Sequence, residues 1–478
     1  MLRISLAFAL AFTVAMSVTH AADDISKAET RTALRKAVGF FRSKVSVGGG
    51  YLWRYSDDLA RREGERKATA KTAWVQPPGT PSVGEALLQA FELTGDRYYL
   101  ESARETAYAL VVGQLQSGGW DYRIEFDPDQ RRKYAYRVKP NNSEGRNVTT
   151  LDDNTTQSAL RFLMRVDMAL KFQDEKIHEA VEYALNSLLK AQYPNGAWAQ
   201  RFSESPDPKK HPVRKASYPK TWSRTYAKKD YRGYYTFNDN SIADVIAVMF
   251  QASETYDEPK YAAAAEKAGD FILLAQLPEP QPAWSQQYDT DMYPAWARRF
   301  EPPSVTGGES QGVMRTLLFL YRKTGKKKYL EPIPRAIAYL RKSELPDGRL
   351  ARFYELQTNR PLYFVKDTYK LTYKSDNMPT HYGFIVGSKL NSIEAEHRRL
   401  LRIDPARLDP RPGKRTYRLT PTLQNKANSL VDRLDDRGAW VEQGTLKYHG
   451  PDDPTMRIID SRTFATNVVT LAQFLAAE

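Results

Sequence analysis

Apolar positions recur along this chain at the three- and four-residue spacing of an amphipathic helix. Leu160, Leu163, Met164 and Leu170 share one face; so do Ile242, Val245, Ile246 and Met249, and again Val313, Leu317, Leu318 and Tyr321. Each stripe predicts a helix with its apolar side in a core. Several helices are followed by the same phrase: an apolar run, a short polar turn with Gly or Pro, then an aromatic stretch. It occurs at Ala109–Gln114 before Gly118-Gly119-Trp120, at Ser187–Gln192 before Gly196-Ala197-Trp198, and at Ile272–Gln276 before Ala283-Trp284. It returns at Tyr339–Glu344 before Gly348–Phe353, and at Asn428–Leu434 before Gly438-Ala439-Trp440. A second phrase opens other helices: Thr94-Gly95-Asp96, Tyr256-Asp257-Glu258 and Thr324-Gly325-Lys326. The repeat interval is irregular, roughly 70–85 residues, which suits a helix pair carrying a large loop. Helix hairpins of this kind arranged in a ring predict an all-α fold: an α/α toroid with long aromatic-rich loops and a few short strands at one rim. Trp120 and Trp198 belong to the phrase and are read as core.

Two acidic segments interrupt the pattern at matching places. Thr150-Leu151-Asp152-Asp153-Asn154-Thr155-Thr156 and Thr236-Phe237-Asn238-Asp239-Asn240-Ser241 each set an Asp-Asn pair directly before an apolar stripe. Asp and Asn favour the residue that opens a helix, where the side chain accepts from the first unpaired N–H groups. Two helices are therefore expected to start there with a carboxylate at each mouth. Ser375-Asp376-Asn377 is a weaker third copy. Each Asp serves either as a cap alone or as part of a shared acidic rim able to hold a hard cation such as Ca²⁺.

Composition narrows the function. The chain has 478 residues, 41% of them hydrophobic, with 29 Tyr, 8 Trp and no cysteine, so thiolate chemistry and disulfides are excluded. Met1-Leu2-Arg3, the apolar run Ile4 to Val18, and Thr19-His20-Ala21 before Ala22 read as a signal peptide over residues 1–21. That implies a secreted or periplasmic protein without a membrane anchor, and one domain over residues 22–478. The formal charge is +14. A basic exported protein points to an anionic partner, with acidic polysaccharide favoured over nucleic acid. Histidine is scarce and never spaced as a zinc motif; His178 reads as a surface residue and His381 as a candidate for the cleft. One loop, residues 203–233, is enlarged and carries nine Lys and Arg against Glu204, Asp207 and Asp230. It is either a charged lid or a solvated insertion.

Ordered along the chain stand Gly49-Gly50-Tyr51-Leu52-Trp53-Arg54-Tyr55, Gln76-Pro77-Pro78-Gly79-Thr80-Pro81, Thr150–Asn154 and Phe237–Asn240. They continue with Trp296-Ala297-Arg298-Arg299-Phe300-Glu301, Gly307-Gly308-Glu309-Ser310 and Arg352-Phe353-Tyr354-Glu355. On this set the chain resembles the pectate lyases of polysaccharide lyase family 10. The resemblance implies an (α/α)3 barrel and Ca²⁺-dependent β-elimination on polygalacturonate with an arginine base. Asp153, Asp239 and then Asp152 are the expected metal ligands. Arg298 is the first choice of base, with Arg352 and Arg299 as competing assignments. Trp53, Arg54, Tyr55, Arg299, Asn154 and Asn240 are expected to contact substrate, and Glu309 reads as a helix cap. The expected form is a monomer.

Other functions remain open. One is an α/α-toroid hydrolase of acidic sugars using a carboxylate pair, Asp153 with Asp239 or Glu301 with Asp239. Another is a uronan-binding homologue that has lost catalysis. A prenyl-type cyclase also uses an α/α toroid, but the leader and the lack of a full Asp-Asp-x-x-Asp argue against it.

Overall fold

The stripes form helices where their spacing demands. The computed structural model describes residues 24–138, 142–409, 413 and 416–478; the expected signal peptide, residues 1–21, lies outside them. Helices in chain order are α1 (Lys27–Phe40), α2 (Thr80–Thr94), α3 (Arg97–Gly113), the single turn α4 (Pro128–Arg131), α5 (Thr155–Ala169) and α6 (Glu175–Ala191). They continue as α7 (Ser241–Tyr256), α8 (Pro259–Leu274), α9 (Glu309–Thr324), α10 (Ile333–Lys342), α11 (Leu390–Arg402), α12 (Pro421–Asp432) and α13 (Ser461–Ala476). Leu160, Ile242 and Val313 and their stripe partners pack inward, Leu170 being half-buried.

The helices alternate between two layers. Helix α2 packs on α13 and α5, α5 on α7, and α9 on α11. The intervening helices lie against them: α3 on α2, α6 on α5, α8 on α7, and both α1 and α12 on α13. This is an α/α toroid, all-α apart from short strands. Its two ends meet where Lys27 Nζ donates to the Ala477 carbonyl at 2.6 Å. One contiguous core takes in residues from Leu34 to Phe474. No helix among the described residues is long and apolar enough to cross a membrane.

The repeated phrases have identifiable jobs. Gly95 adopts φ 72°, the left-handed conformation that ends α2, and Asp96 caps α3 by accepting from Tyr98 N at 3.0 Å. The tryptophan of each phrase returns to the helix before it. Trp120, Trp198, Trp284 and Trp440 donate their indole N–H to the carbonyls of Leu110, Leu188, Ile272 and Leu430 at 2.8–2.9 Å. Glutamines link neighbouring units. The side-chain amides of Gln114, Gln192 and Gln276 donate to the carbonyls of Ala180, Ala264 and Pro332 at 2.9, 2.9 and 3.1 Å. Helix α3 is thereby tied to α6, α6 to α8, and the end of α8 to the start of α10.

Short strands sit before three helix mouths. Thr149–Thr150 pairs with Arg201–Phe202 ahead of α5, Tyr235–Thr236 with Gln287–Tyr288 ahead of α7, and Val305–Thr306 with Phe353–Tyr354 ahead of α9. The weak third acidic copy does not belong to this series. Asp376 and Asn377 lie in an exposed loop with no helix start beside them. The equivalent place at the third mouth is held by Gly308-Glu309.

Candidate active site at the helix mouths

The two Asp-Asn pairs do not cap their helices. Asp153 and Asn154 have φ of 50° and 58°, and Asp239 and Asn240 have φ of 47° and 57°; neither Asn154 nor Asn240 makes a capping hydrogen bond. Asp and Asn are among the few residues that tolerate this left-handed region, at a cost of about 1–3 kcal/mol each. The same tight left-handed step therefore precedes α5 and α7. Its effect is convergence: Asp152, Asp153 and Asp239 each bring a carboxylate oxygen within 4.8 Å of the others.

Among the described residues, nothing neutralises this cluster fully. Asp152 accepts from Tyr122 Oη at 2.8 Å and lies 3.7 Å from Arg201 Nη2, but its Oδ1 is buried without a hydrogen-bond partner. Burial first, then the negative charges of Asp152, Asp239 and Glu65, push Asp153 up to about 7, against the pull of Arg298. Asp239 is open to solvent on one side; enclosure on the other, and Asp152, raise it to about 6. Three oxygen donors with an orphaned carboxylate atom match the chemistry of a hard divalent cation.

An arginine network adjoins the acids. Arg298 donates to Glu301 through Nε at 2.8 Å and Nη2 at 2.6 Å, and its backbone N–H adds a third bond at 3.0 Å. Glu301 is 2% exposed and also accepts from Gln286 at 2.7 Å and from Tyr382 Oη at 2.9 Å. Burial works to lower the Arg298 pKa, but the hydrogen bonds and charge of Glu301 outweigh it and drive the value above that of an ordinary arginine. Burial likewise works to raise Glu301, and Arg298 holds it below the usual carboxylate range. The ring of Tyr382 sits between two guanidinium groups, 5.4 Å from Arg298 and 4.7 Å from Arg352.

Arg352 pairs with Glu309 at 2.5 Å and donates to the Gly383 carbonyl at 2.7 Å. Burial acts to lower its pKa, and the charge of Glu309 raises it overall. Glu309 is not a cap: Gly308 holds that position, and Glu309 Oε2 is buried with no partner. Arg299 is exposed and stacked 3.5 Å over the Tyr369 ring. His381 is exposed beside Phe300, whose ring centre lies 5.0 Å away. His178 is more than a surface residue, since its Nδ1 lies 2.8 Å from the fully buried Asp167.

The remaining expected substrate contacts are placed differently. Tyr55 is 1% exposed and its hydroxyl accepts from Leu52 N, so it is core and unavailable for stacking on a sugar. The cause is strand alternation: Tyr55 points inward from the strand Arg54–Ser56 and Arg54 outward. Arg54 is engaged with Asp460 at 2.9 Å and Glu63 at 3.7 Å. Trp53 is half-buried and donates to the Gln76 carbonyl at 2.9 Å. Asn154 accepts from Arg161, and Asn240 is exposed near Gly312 of α9. Sequence reasoning missed Asn238, Gln286, Tyr382 and Tyr122. Only Asn238, inside the second acidic segment, carried any signal.

The family comparison marks the chain as a polysaccharide lyase. Residues 114–349 match the family model of the pectic acid lyases. The matched stretch contains Asp152, Asp153, Asp239, Arg298 and Glu309 but not Arg352. No curated protein matches the chain. Among solved structures, a family 10 polysaccharide lyase from Cellvibrio cellulosa is 22% identical at a TM-score of 0.45, covering 65% of this chain and 98% of its own. A mutant of a Cellvibrio cellulosa family 10 lyase in complex with trigalacturonic acid is 22% identical at 0.45, covering 66% and 98%. A glycoside hydrolase family 76 mannosidase from Bacteroides thetaiotaomicron is 12% identical at 0.41, covering 94% and 98%.

Proposed function

We propose that this protein is a secreted or periplasmic pectate lyase that cleaves polygalacturonate by calcium-dependent β-elimination. One observation carries the reading: three carboxylates converge on one point beside Arg298. The reaction removes the C5 proton, which is α to a carboxylate, and then breaks the C4–O bond. Charge accumulates on the carboxylate as the proton leaves. Asp152, Asp153 and Asp239 would hold the cation, which when bound acts as a Lewis acid on that substrate carboxylate.

The protein's own residues do the rest. Asp153 and Asp239, lifted to about 7 and about 6, must ionise before they can serve as ligands, so binding strengthens as pH rises past neutrality. Arg298 is the base in this reading. Its pairing with Glu301 keeps the neutral fraction small, so turnover climbs with pH into the alkaline range. Two of its three guanidinium nitrogens are held by Glu301, which fixes the plane of the group. Arg352 is the competing base and otherwise a carboxylate clamp.

The decisive assay incubates polygalacturonate with the protein, with and without chelator, and follows ultraviolet absorbance of the unsaturated product. Calcium-dependent absorbance supports the reading. New reducing ends without that absorbance would make the protein a hydrolase. Amino-terminal sequencing of the exported protein checks removal of residues 1–21.

A further inference from the structure

The basic segment 203–233 is neither free in solvent nor folded over as a hinged lid. It is a strap fastened at successive points. Ala216 is buried and its N–H donates to the Leu274 carbonyl at 2.8 Å; Tyr218 Oη donates to the Pro278 carbonyl at 2.8 Å. The indole of Trp296 donates to the Ser223 carbonyl at 2.8 Å, and the Tyr226 ring lies 5.7 Å from that of Trp296. The strap thus crosses the rim two residues from Arg298, and Tyr231 falls within electrostatic reach of Arg298, Glu301 and Asp152.

Its cations divide by type. Two of the three arginines are anchors: Arg214 on Asp291 at 2.6 Å, and Arg224 on Glu355, whose side chain is 2% exposed and also accepts from Tyr373 Oη; Arg232 pairs with Asp230 inside the segment at 2.7 Å. The lysines do not anchor. Lys209, Lys215, Lys220, Lys228 and Lys229 are exposed, and among the described residues none has a carboxylate within 4.0 Å. These five exposed ammonium groups make no ion pair with the body of the protein and are open to an anion that lies against the strap.

We infer that these lysines form a second anion-binding surface, continuous with the rim, that holds acidic polysaccharide beyond the few sugar units at the acidic cluster. The inference rests on the uronan reading above. Lysine suits such a surface, because compact charges on flexible stems follow a polymer with one carboxylate per ring without imposing a register. Binding of this kind displaces counterions and weakens with salt.

The experiment compares the wild-type protein with one carrying Lys215→Gln, Lys220→Gln, Lys228→Gln and Lys229→Gln together. All four side chains are exposed, so the fold is retained. Affinity for long polygalacturonate and for trigalacturonate is measured across a salt series, with double-stranded DNA and anionic vesicles as controls. The expected result is a loss of about tenfold or more toward the long polymer at low salt, a flatter salt dependence, and no change toward the trimer. Equal loss on trimer and polymer, or no loss on polymer, overturns the inference while leaving the lyase reading intact. Loss confined to DNA or vesicles overturns it in favour of a different partner. A wild-type protein that neither binds nor cleaves either uronan sinks the functional reading itself, and the inference with it.

Discussion

Gln286 donates to Asn238 at 3.0 Å, and through that bond the acidic cluster is joined to the arginine network. On one side Asn238 donates to Asp239; on the other Gln286 donates to Glu301, which holds Arg298. Two amides therefore fix the placement of a candidate ligand relative to a candidate base. Replacing Gln286 by Leu removes both bonds and leaves the buried Asn238 Oδ1 without a donor, at a cost of about 1–3 kcal/mol. Chemical denaturation reads the stability loss. Turnover is expected to fall more than substrate affinity, and an unchanged ratio of kcat to KM would remove Gln286 from the site.

Asp239→Ala is expected to weaken cleavage strongly, with added calcium restoring it only in part. Rates unchanged at every calcium concentration would exclude Asp239 from the cation site. Calorimetric titration of calcium in the presence of uncleaved oligomer gives the same answer without turnover.

Arg298→Lys is expected to lose most turnover while keeping substrate affinity. A lysine cannot reproduce the two-point pairing with Glu301, so the group loses its fixed plane. Near wild-type turnover would move the base to Arg352, and the same substitution there becomes the next test.

Stability should respond to pH with a definite sign. Asp153 and Asp239 titrate at about 7 and about 6 in the folded protein, above the ordinary aspartate value of 3.8. The folded state therefore holds more protons than the unfolded state across that window. Their contribution is full below the unfolded value and is lost as pH rises through the folded values. In chelator, Tm is expected to drop between about pH 4 and pH 7 through these groups, and calcium at the upper pH should restore it. If Asp153→Asn leaves the slope unaltered, the assignment to Asp153 is wrong.

Trp198→Ala should be costly for the fold, about 3–5 kcal/mol, because it opens the core and leaves the Leu188 carbonyl without its donor. Thermal unfolding measures it. A loss below about 1 kcal/mol would show that the repeated phrase is not structural.

Much of the fold was legible because amphipathic periodicity has one dominant cause, burial of a stripe. The meeting of the acidic segments was legible in outline from their matching positions before two helices. Their backbone conformation was not, since Asn and Asp favour both the capping residue and the left-handed region, and the sequence pattern is the same for either. Tyr55 was misread because Trp-Arg-Tyr resembles a sugar platform until strand alternation assigns opposite faces to neighbours. Gln286 and Tyr382 had no local signature. They reach Glu301 from 15 and 81 residues away in sequence, and ordinary polar residues reveal such roles only when the chain is folded.

The three glutamine ties fasten one unit to the next through main-chain carbonyls, groups present whatever residue occupies the position. The scaffold's integrity is thus largely independent of what is spliced in above it. An enzyme built this way can lengthen one crossing segment to suit a new polymer and leave the ring beneath untouched.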